Sequence, residues 1–251
     1  MKTIDKTLEY HELLMVKNSL DTYKVVLPQG YSFEFWKQAS DLDSWIDIHI
    51  SSGEFTSKQR ARQYFYEFYG KFLDELDKRC FFIVYDNTKI ATATISPSNE
   101  YGYNCVIDWL AISKDHQGKH LAKPLVNKCL EVAKSLGYSN ILLHTQTHTY
   151  KACKVYLDLG FEPFRVKGDN KGWQILNTLI DHPKLSEFDK LDNADMYDQL
   201  IINIVNTLDT LHKDYVYEVW YKNNANDVYV NENGKFYRYK FYDNGNTLKL
   251  N

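Results

Sequence analysis

Hydrophobic and polar positions alternate with two different periods along the first two thirds of the chain. Short β-rich runs predict strands at 21–27 and 31–36 and a hairpin formed by 80–85 and 89–95. Apolar residues at three- and four-residue spacing predict helices at 40–50, 56–76, 121–136 and 152–159. Nearly continuous apolar runs at 105–112 and 140–145 are typical of strands buried on both faces. The order strand, helix, strand, helix predicts an α/β unit with one parallel crossover.

The pattern changes after residue 165. A short helix is predicted at Trp173–Ile180, and an amphipathic helix at Met196–Leu211. Over Asp214–Asn251, two Asn-Gly pairs separate alternating runs, which predicts a meander of three or four antiparallel strands. We therefore expect an N-terminal segment packed on the core (1–22), a central domain (23–165) and a C-terminal extension of helices and then strands (166–251).

Composition narrows the range of functions. The chain is 44% hydrophobic and 25% charged, which is ordinary for a globular protein. A net charge of -3 gives no field that attracts polyphosphate, so we expect no nucleic-acid partner. The first twenty residues lack the apolar region of a signal peptide, and no apolar window is long enough to span a membrane, so we expect a cytoplasmic protein with no membrane partner. The four cysteines form no CxxC pair and are expected to be free thiols.

One stretch has the pattern of an anion site. The apolar run ending at Ile112 leads through a short polar turn directly into a helix. The first N–H groups of a helix have no partner within it, and the helix dipole is positive at that end. Gly118 lets a ligand approach the backbone closely, and Lys119 and Lys123 add charge. A simple strand-to-helix connection has the same pattern, so this stretch leaves both interpretations open.

Four stretches together resemble the GNAT superfamily of N-acetyltransferases: Val106–Ile112, Asp115–Ala122, Leu142–Thr145 and Ala152–Pro163. A glutamine-led glycine loop at a helix start, followed by an alanine, a tyrosine and a Gly-Phe-x-Pro ending, is a specific combination. The resemblance spans about 23–165. It implies an α/β (α+β mixed) fold in which helices flank a twisted mixed sheet, with the C-terminal helices and β-meander appended. It also implies an acyltransferase that uses acetyl-CoA.

The resemblance implies a role for each matching position. Loop N–H groups would bind the pyrophosphate of acetyl-CoA, with Lys123 beside them, at Gln117, Gly118, Lys119, His120, Leu121 and Ala122. The pantetheine arm would pair with strand residues Leu110, Ala111 and Ile112, where this strand splays from the next. Thr149 stands where many members carry an asparagine near the cofactor. His120 replaces a second glycine of the loop, and we expect it to be tolerated because the backbone there is already helical, with negative φ.

The resemblance also implies the catalytic groups. Tyr156 would protonate the leaving thiolate, and Asp108 would serve as general base directly or through water. Without the resemblance, Tyr156 is a core residue and Asp108 a hydrogen-bonded structural carboxylate. The residues expected to line the acceptor pocket are Trp36, Trp45, His49 and Glu54. The chemistry requires no metal.

Three functions remain open at this point. The first is direct transfer of acetyl from acetyl-CoA, in a ternary complex, to a primary amine of a small molecule. The second is a protein or peptide acetyltransferase that uses the C-terminal module for recognition, and the third is a non-catalytic acyl-CoA-binding regulatory module. Exposed strand edges in the extension also leave a homodimer open. The carboxylates of Asp41, Asp43, Asp47 and Glu54 predict either an acidic acceptor pocket or a solvated helix face.

Overall fold

The first part of the chain forms one mixed sheet of seven strands. The computed structural model describes residues 4–21, 26–98, 100, 103–164, 170–186, 217–221, 227–232, 235–241 and 247–249. The strands are β1 Glu12–Lys17, β2 Tyr31–Phe35, β3 Cys80–Tyr85, β4 Thr88–Pro97, β5 Cys105–Ile112, β6 Ile141–Gln146 and β7 Glu162–Phe164. Their order is β2-β3-β4-β5-β6-β1-β7. β5 and β6 are parallel and the other neighbours antiparallel, which confirms the predicted mixed sheet and crossover.

Helices cover both faces of this sheet. They are α1 Asp41–Ser52, α2 Lys58–Tyr69, α3 Leu76–Arg79, α4 Ala122–Ser135, α5 Tyr150–Asp158, α6 Asn170–Leu179 and α7 Pro183–Ser186. Alternate residues of β3 point to opposite faces. Phe81 belongs to the core shared with α4, α5 and α6, and Phe82 to an aromatic core shared with α1 and α2. The sheet therefore separates two hydrophobic cores.

The hairpin predicted between β3 and β4 is present. Asp86 and Asn87 connect the strands with φ of 46° and 57°, the left-handed values that a two-residue hairpin turn requires. The strand predicted at 21–27 lies mostly outside the described residues. The sheet instead gains β1, whose residues pair with β6 on one side and β7 on the other. Residues 12–17 thus lie within the sheet, where we expected a segment packed on the core.

A second sheet of four strands lies in the C-terminal extension. Its strands are β8 Tyr217–Tyr221, β9 Asp227–Glu232, β10 Lys235–Phe241 and β11 Thr247–Lys249, in the order β11-β10-β9-β8. All neighbours are antiparallel, as the predicted meander requires. The helix predicted at Met196–Leu211 lies outside the described residues. Within the described ranges, no helix combines the length and apolar character needed to cross a membrane.

Candidate active site

The sheet opens between β5 and β6. Their parallel pairing is confined to Val106 opposite Leu142 and Ile107 opposite Leu143. β4 remains paired with β5 as far as Ile112, so only one edge of the second half of β5 is open. The N–H of Ser113 donates to Ile90 O on the β4 side, at 2.8 Å. Because successive residues of a strand direct their N–H groups to opposite edges, Leu110 and Ile112 direct theirs to the open edge.

A β-bulge lies where the strands diverge. Thr94 is opposite Asp108 and Thr92 is opposite Ala111, so β5 contains one extra residue. Trp109 takes up the distortion with a φ of 47°, which is unusual for a tryptophan. Bulges bend a strand and redirect its side chains. Here the indole joins the aromatic core and stacks on Phe55, with ring centroids 5.0 Å apart.

The divergence forms the floor of a cleft of about 1150 Å³. One part of its wall is aromatic or apolar, with His49, Phe68, Phe72, Trp109 and Leu110. Another part carries carboxylates, from Glu12, Glu54, Glu75, Glu100 and Asp108. Lys71 and His144 are the cationic side chains among the lining residues of the described chain. The cleft is therefore both acidic and aromatic.

Asp108 is half-buried in the cleft floor. Burial raises the pKa of its carboxyl to about 6, although the nearby Ser96 hydroxyl and the charge of His144 act in the opposite direction. The charge of Glu100 adds to the increase. A carboxyl with this pKa is mostly ionised at pH 7 and accepts a proton more readily than an ordinary aspartate. Asp108 therefore has the properties of a general base.

His144 is held between two carboxylates beside Asp108. Its Nδ1 lies 3.0 Å from Glu12 Oε1, and its Nε2 lies 2.7 Å from Glu100 Oε2. Burial alone would lower the pKa of the imidazole, but the hydrogen bonds and charges of Glu100 and Glu12 outweigh it and raise the pKa to about 9. His144 is therefore a cation at neutral pH. In the described part of the chain, no group of three or more His, Cys, Asp or Glu side chains is arranged to hold a metal ion.

Tyr156 lies on α5 and lines the same cleft as Asp108. Its side chain is buried and packs on Phe161, with ring centroids 5.8 Å apart. Burial raises the pKa of the phenol above its ordinary value of 10, and the nearby Cys153, Cys129 and Glu54 act in the same direction. The hydroxyl therefore keeps its proton at neutral pH and is a proton donor.

The loop between β5 and α4 has the open geometry of an anion site. Gly118 has a φ of 77°, and an added Cβ would meet no atom within 4 Å. Leu121 precedes α4 and its side chain provides no cap. Within the described chain, no hydrogen bond from the backbone N–H groups of 118–123 is found. Gln117 Nε2 donates to Ile112 O at 3.0 Å and ties the loop to the strand. Lys119 and His120 are exposed, and Lys123 pairs with Asp158 at 2.9 Å.

The prediction for the backbone of His120 is wrong. The residue has a φ of 59° and lies in the left-handed region. The helix begins only at Ala122, two residues further on, so His120 belongs to the turn that precedes it. The position still requires the conformation that glycine adopts most easily, and histidine adopts it with some strain.

Other predicted residues have different positions. Thr149 lines the cleft and its hydroxyl donates to Gln146 O at 3.1 Å. His49 and Glu54 also line the cleft. Trp45 is fully buried, and Trp36 stacks on Phe65 at 5.3 Å, so neither indole is among the cleft residues. The other predicted acidic residues are paired away from the cleft: Asp41 with Lys89, Asp43 with Arg62 and Asp47 with Lys58.

The sequence did not predict several cleft residues. Glu12 comes from β1, Glu100 follows β4, and His144 lies on β6, so that three distant segments meet beside Asp108. Glu12 is the first residue of an apolar run, which carries no functional signal. His144 lies within a strand that the sequence predicts, but no sequence pattern indicates that Glu12 and Glu100 are its partners.

A sheet that splits beside a helix-starting glycine loop is the arrangement expected of an acyltransferase that binds a nucleotide-linked thioester. Residues 42–161 match the model of the acetyltransferase (GNAT) family. N-acetyltransferase 8B of Rattus norvegicus is 40% identical over 53 residues, or 21% of this chain and 24% of that protein. N-acetyltransferase 8F1 of the same organism is 38% identical over 53 residues, with the same coverage of 21% and 24%.

A solved structure with low sequence identity has a similar fold. A crystal structure of a GCN5-related N-acetyltransferase from Sphaerobacter thermophilus has a TM-score of 0.50 at 13% identity, over 61% of this chain and 48% of that one. The predicted family resemblance and the predicted fold are therefore confirmed. The matches support the predicted acyltransferase class. The chain spans about a quarter (24%) of the length of the curated relatives it matches.

Proposed function

We propose that this protein transfers the acetyl group of acetyl-CoA directly to a primary amine of a small molecule. The observation that carries the proposal is the meeting of Asp108 and Tyr156 in one cleft, at the point where β5 and β6 separate. One side chain is a base and the other a protonated phenol. The carboxylate can take up the first proton of the ammonium, and the phenol can protonate the departing thiolate.

The loop and the open strand edge fit acetyl-CoA. The N–H groups of 118–123, for which the described residues provide no hydrogen-bond acceptor, lie at a helix start, where phosphate binds favourably. Gly118 leaves open space in front of the backbone. The open edge of Leu110 and Ile112 supplies hydrogen-bonding groups to an extended pantetheine chain. Bound acetyl-CoA supplies an activated acyl group, and the loop and strand hold it in a fixed direction.

The side chains move two protons during transfer. An alkyl ammonium has a pKa near ~10.4, so it must lose a proton before its nitrogen can attack. Asp108 accepts that proton, the nitrogen forms a bond to the acetyl carbon, and the carbon–sulfur bond breaks. The departing thiolate takes the proton of the Tyr156 hydroxyl, and the second proton that the acylated nitrogen must lose returns to the phenolate. The products are an acetamide and free coenzyme A.

The charge and size of the cleft support a small amine as acceptor. Four carboxylates besides Asp108 line the cleft, at Glu12, Glu54, Glu75 and Glu100. Glu12 and Glu100 flank the cationic His144 and Glu75 pairs with Arg79, but the negative charges around the cleft still outnumber the positive ones. The cleft therefore attracts a cation, and this attraction weakens with salt. A cleft of about 1150 Å³ is close to the size range of small-molecule sites.

A screen of primary amines for release of free thiol from acetyl-CoA tests the proposal. We expect saturable turnover with at least one amine. Gly118→Glu should abolish acetyl-CoA binding, because the new carboxylate repels the phosphates. Gly137→Glu is the matched control, since Gly137 also has a positive φ (86°) and open space but follows the other end of α4. Binding of acetyl-CoA without transfer to any amine would contradict the proposal and favour a regulatory module.

A further inference from the structure

His49 is a polar residue in an aromatic setting, and the backbone of Trp109 is the polar group that the described chain places nearest its ring nitrogens. It lies near the end of α1 and is fully buried, yet its ring lines the cleft. The ring packs on Trp45 with centroids 4.1 Å apart and on Trp109 at 5.7 Å. Neither Nδ1 nor Nε2 has a hydrogen-bond partner of ordinary geometry in the described chain. A buried polar group without a partner is costly and needs an explanation.

The protonation state of His49 restricts what it can bind. Burial lowers the pKa of the imidazole to about 3, and an interaction with the backbone of Trp109 offsets this only in part. The ring is therefore neutral at neutral pH. A neutral imidazole has one N–H donor and one nitrogen acceptor. It suits a neutral group that both donates and accepts, such as a hydroxyl or an amide.

The surroundings of His49 restrict the rest of the ligand. Phe55, Phe68 and Trp109 form an aromatic layer around it, and Phe55 stacks on Trp109. Aromatic rings of this kind pack favourably against a flat apolar group. Asp108, the proposed base, is the neighbour of Trp109 in β5 and lines the same cleft. One ligand can therefore contact the carboxylate and the aromatic layer together.

We infer that the acceptor is an aralkylamine whose ring carries a hydroxyl or amide group, and that His49 hydrogen-bonds this group. The inference rests on the proposed function and adds the class of its substrate. The ammonium nitrogen lies at Asp108, the ring packs in the aromatic layer, and the polar substituent supplies the hydrogen-bond partner that His49 lacks. An amine without the substituent leaves the imidazole unpartnered and binds less well.

The experiment compares 2-phenylethylamine with its 3-hydroxy and 4-hydroxy derivatives as acceptors. The amines have the same ammonium group and differ in one hydroxyl. We expect kcat/KM for at least one hydroxylated amine to exceed that of 2-phenylethylamine by about tenfold, the usual effect of one neutral hydrogen bond. His49→Phe keeps an aromatic ring and His49→Leu does not, but both remove the ring nitrogens. Both should reduce this ratio to about one. His49→Gln retains a donor and an acceptor and should restore part of it.

Tyr64→Phe is the matched control for loss of a polar group near the same aromatic layer. Tyr64 contacts Trp109 and Phe55, and its hydroxyl accepts a hydrogen bond from Arg60. It is not among the residues that line the cleft. This variant should keep the full preference. Acetyl-CoA affinity and thermal unfolding, measured for every variant, identify any that fail to fold.

Equal kcat/KM for the three amines would overturn the inference, as would a preference that survives in a folded variant lacking the ring nitrogens. Turnover of aliphatic amines alone would also overturn it and leave the proposed function in place. Absence of turnover with every amine would overturn both.

Discussion

Replacement of Asp108 by asparagine separates catalysis from stability. The side chains have nearly the same shape, but the amide cannot accept the proton of an ammonium. We expect Asp108→Asn to lower kcat/KM by about 10²- to 10⁴-fold, the range found for loss of a general base. We also expect the variant to be more stable than the parent at high pH, because burying the Asp108 charge is unfavourable.

The sign and size of this effect follow from the pKa. Burial raises the pKa of Asp108 from 3.8 to about 6, so the folded protein favours the protonated carboxyl. The stability contributed by this group is fully present below pH 3.8 and is lost as the pH rises through 6. The loss is about 3 kcal/mol, at 1.36 kcal/mol for each pH unit. The variant should therefore exceed the parent in unfolding free energy by about this amount at pH 8.

Urea unfolding of both proteins at pH 8 and at pH 4 measures the difference. About 3 kcal/mol corresponds to roughly 6 to 12 °C in melting temperature for a chain of this length. At pH 4 most of the advantage should disappear, because the parent carboxyl is then protonated. A variant that is less stable than the parent at pH 8 would refute the reasoning, since it would show a carboxylate stabilised by its surroundings.

Three further substitutions test other parts of the account. Tyr156→Phe should lower kcat about 10²-fold without weakening acetyl-CoA binding, because only the proton donor is lost. His144→Gln should move the acidic limb of the kcat/KM pH profile to higher pH, since Asp108 loses its neighbouring cation and still faces the negative charge of Glu100. Asp41→Ala should lower the unfolding free energy by about 2 kcal/mol, because the buried Asp41 carboxylate accepts hydrogen bonds from Lys37 N and Gln38 N and pairs with Lys89, which keeps only Glu34.

Each of these results has an outcome that contradicts it. Equal loss of acetyl-CoA affinity and kcat in Tyr156→Phe would indicate a packing role. An unshifted pH profile in His144→Gln would show that another group sets the acidic limb. Unchanged urea unfolding of Asp41→Ala would mean that water replaces the ion pair.

The sequence predicted those features of the fold that depend on local pattern. The hairpin at Asp86 and Asn87, the parallel crossover through α4 and the C-terminal meander all have short-range signals. The position of β1 in the sheet has no such short-range signal. Its apolar run is consistent with any buried strand, and only tertiary pairing decides that it lies between β6 and β7.

The candidate site was predictable where one segment carries the signal. The loop at Gly118 and the neighbouring strand could be predicted because the glycine motif lies between a predicted strand and a predicted helix. The ion cluster around His144 could not, because Glu12 and Glu100 come from distant segments. The bulge at Trp109 was also missed, since a positive φ at tryptophan has no sequence signature.

A crystal structure with bound coenzyme A tests the central claim most directly. We predict that the pyrophosphate contacts the N–H groups of residues 118–123, and that the sulfur lies between β5 and β6, within hydrogen-bonding distance of the Tyr156 hydroxyl. Coenzyme A bound elsewhere, or a sulfur remote from both Asp108 and Tyr156, would contradict the account.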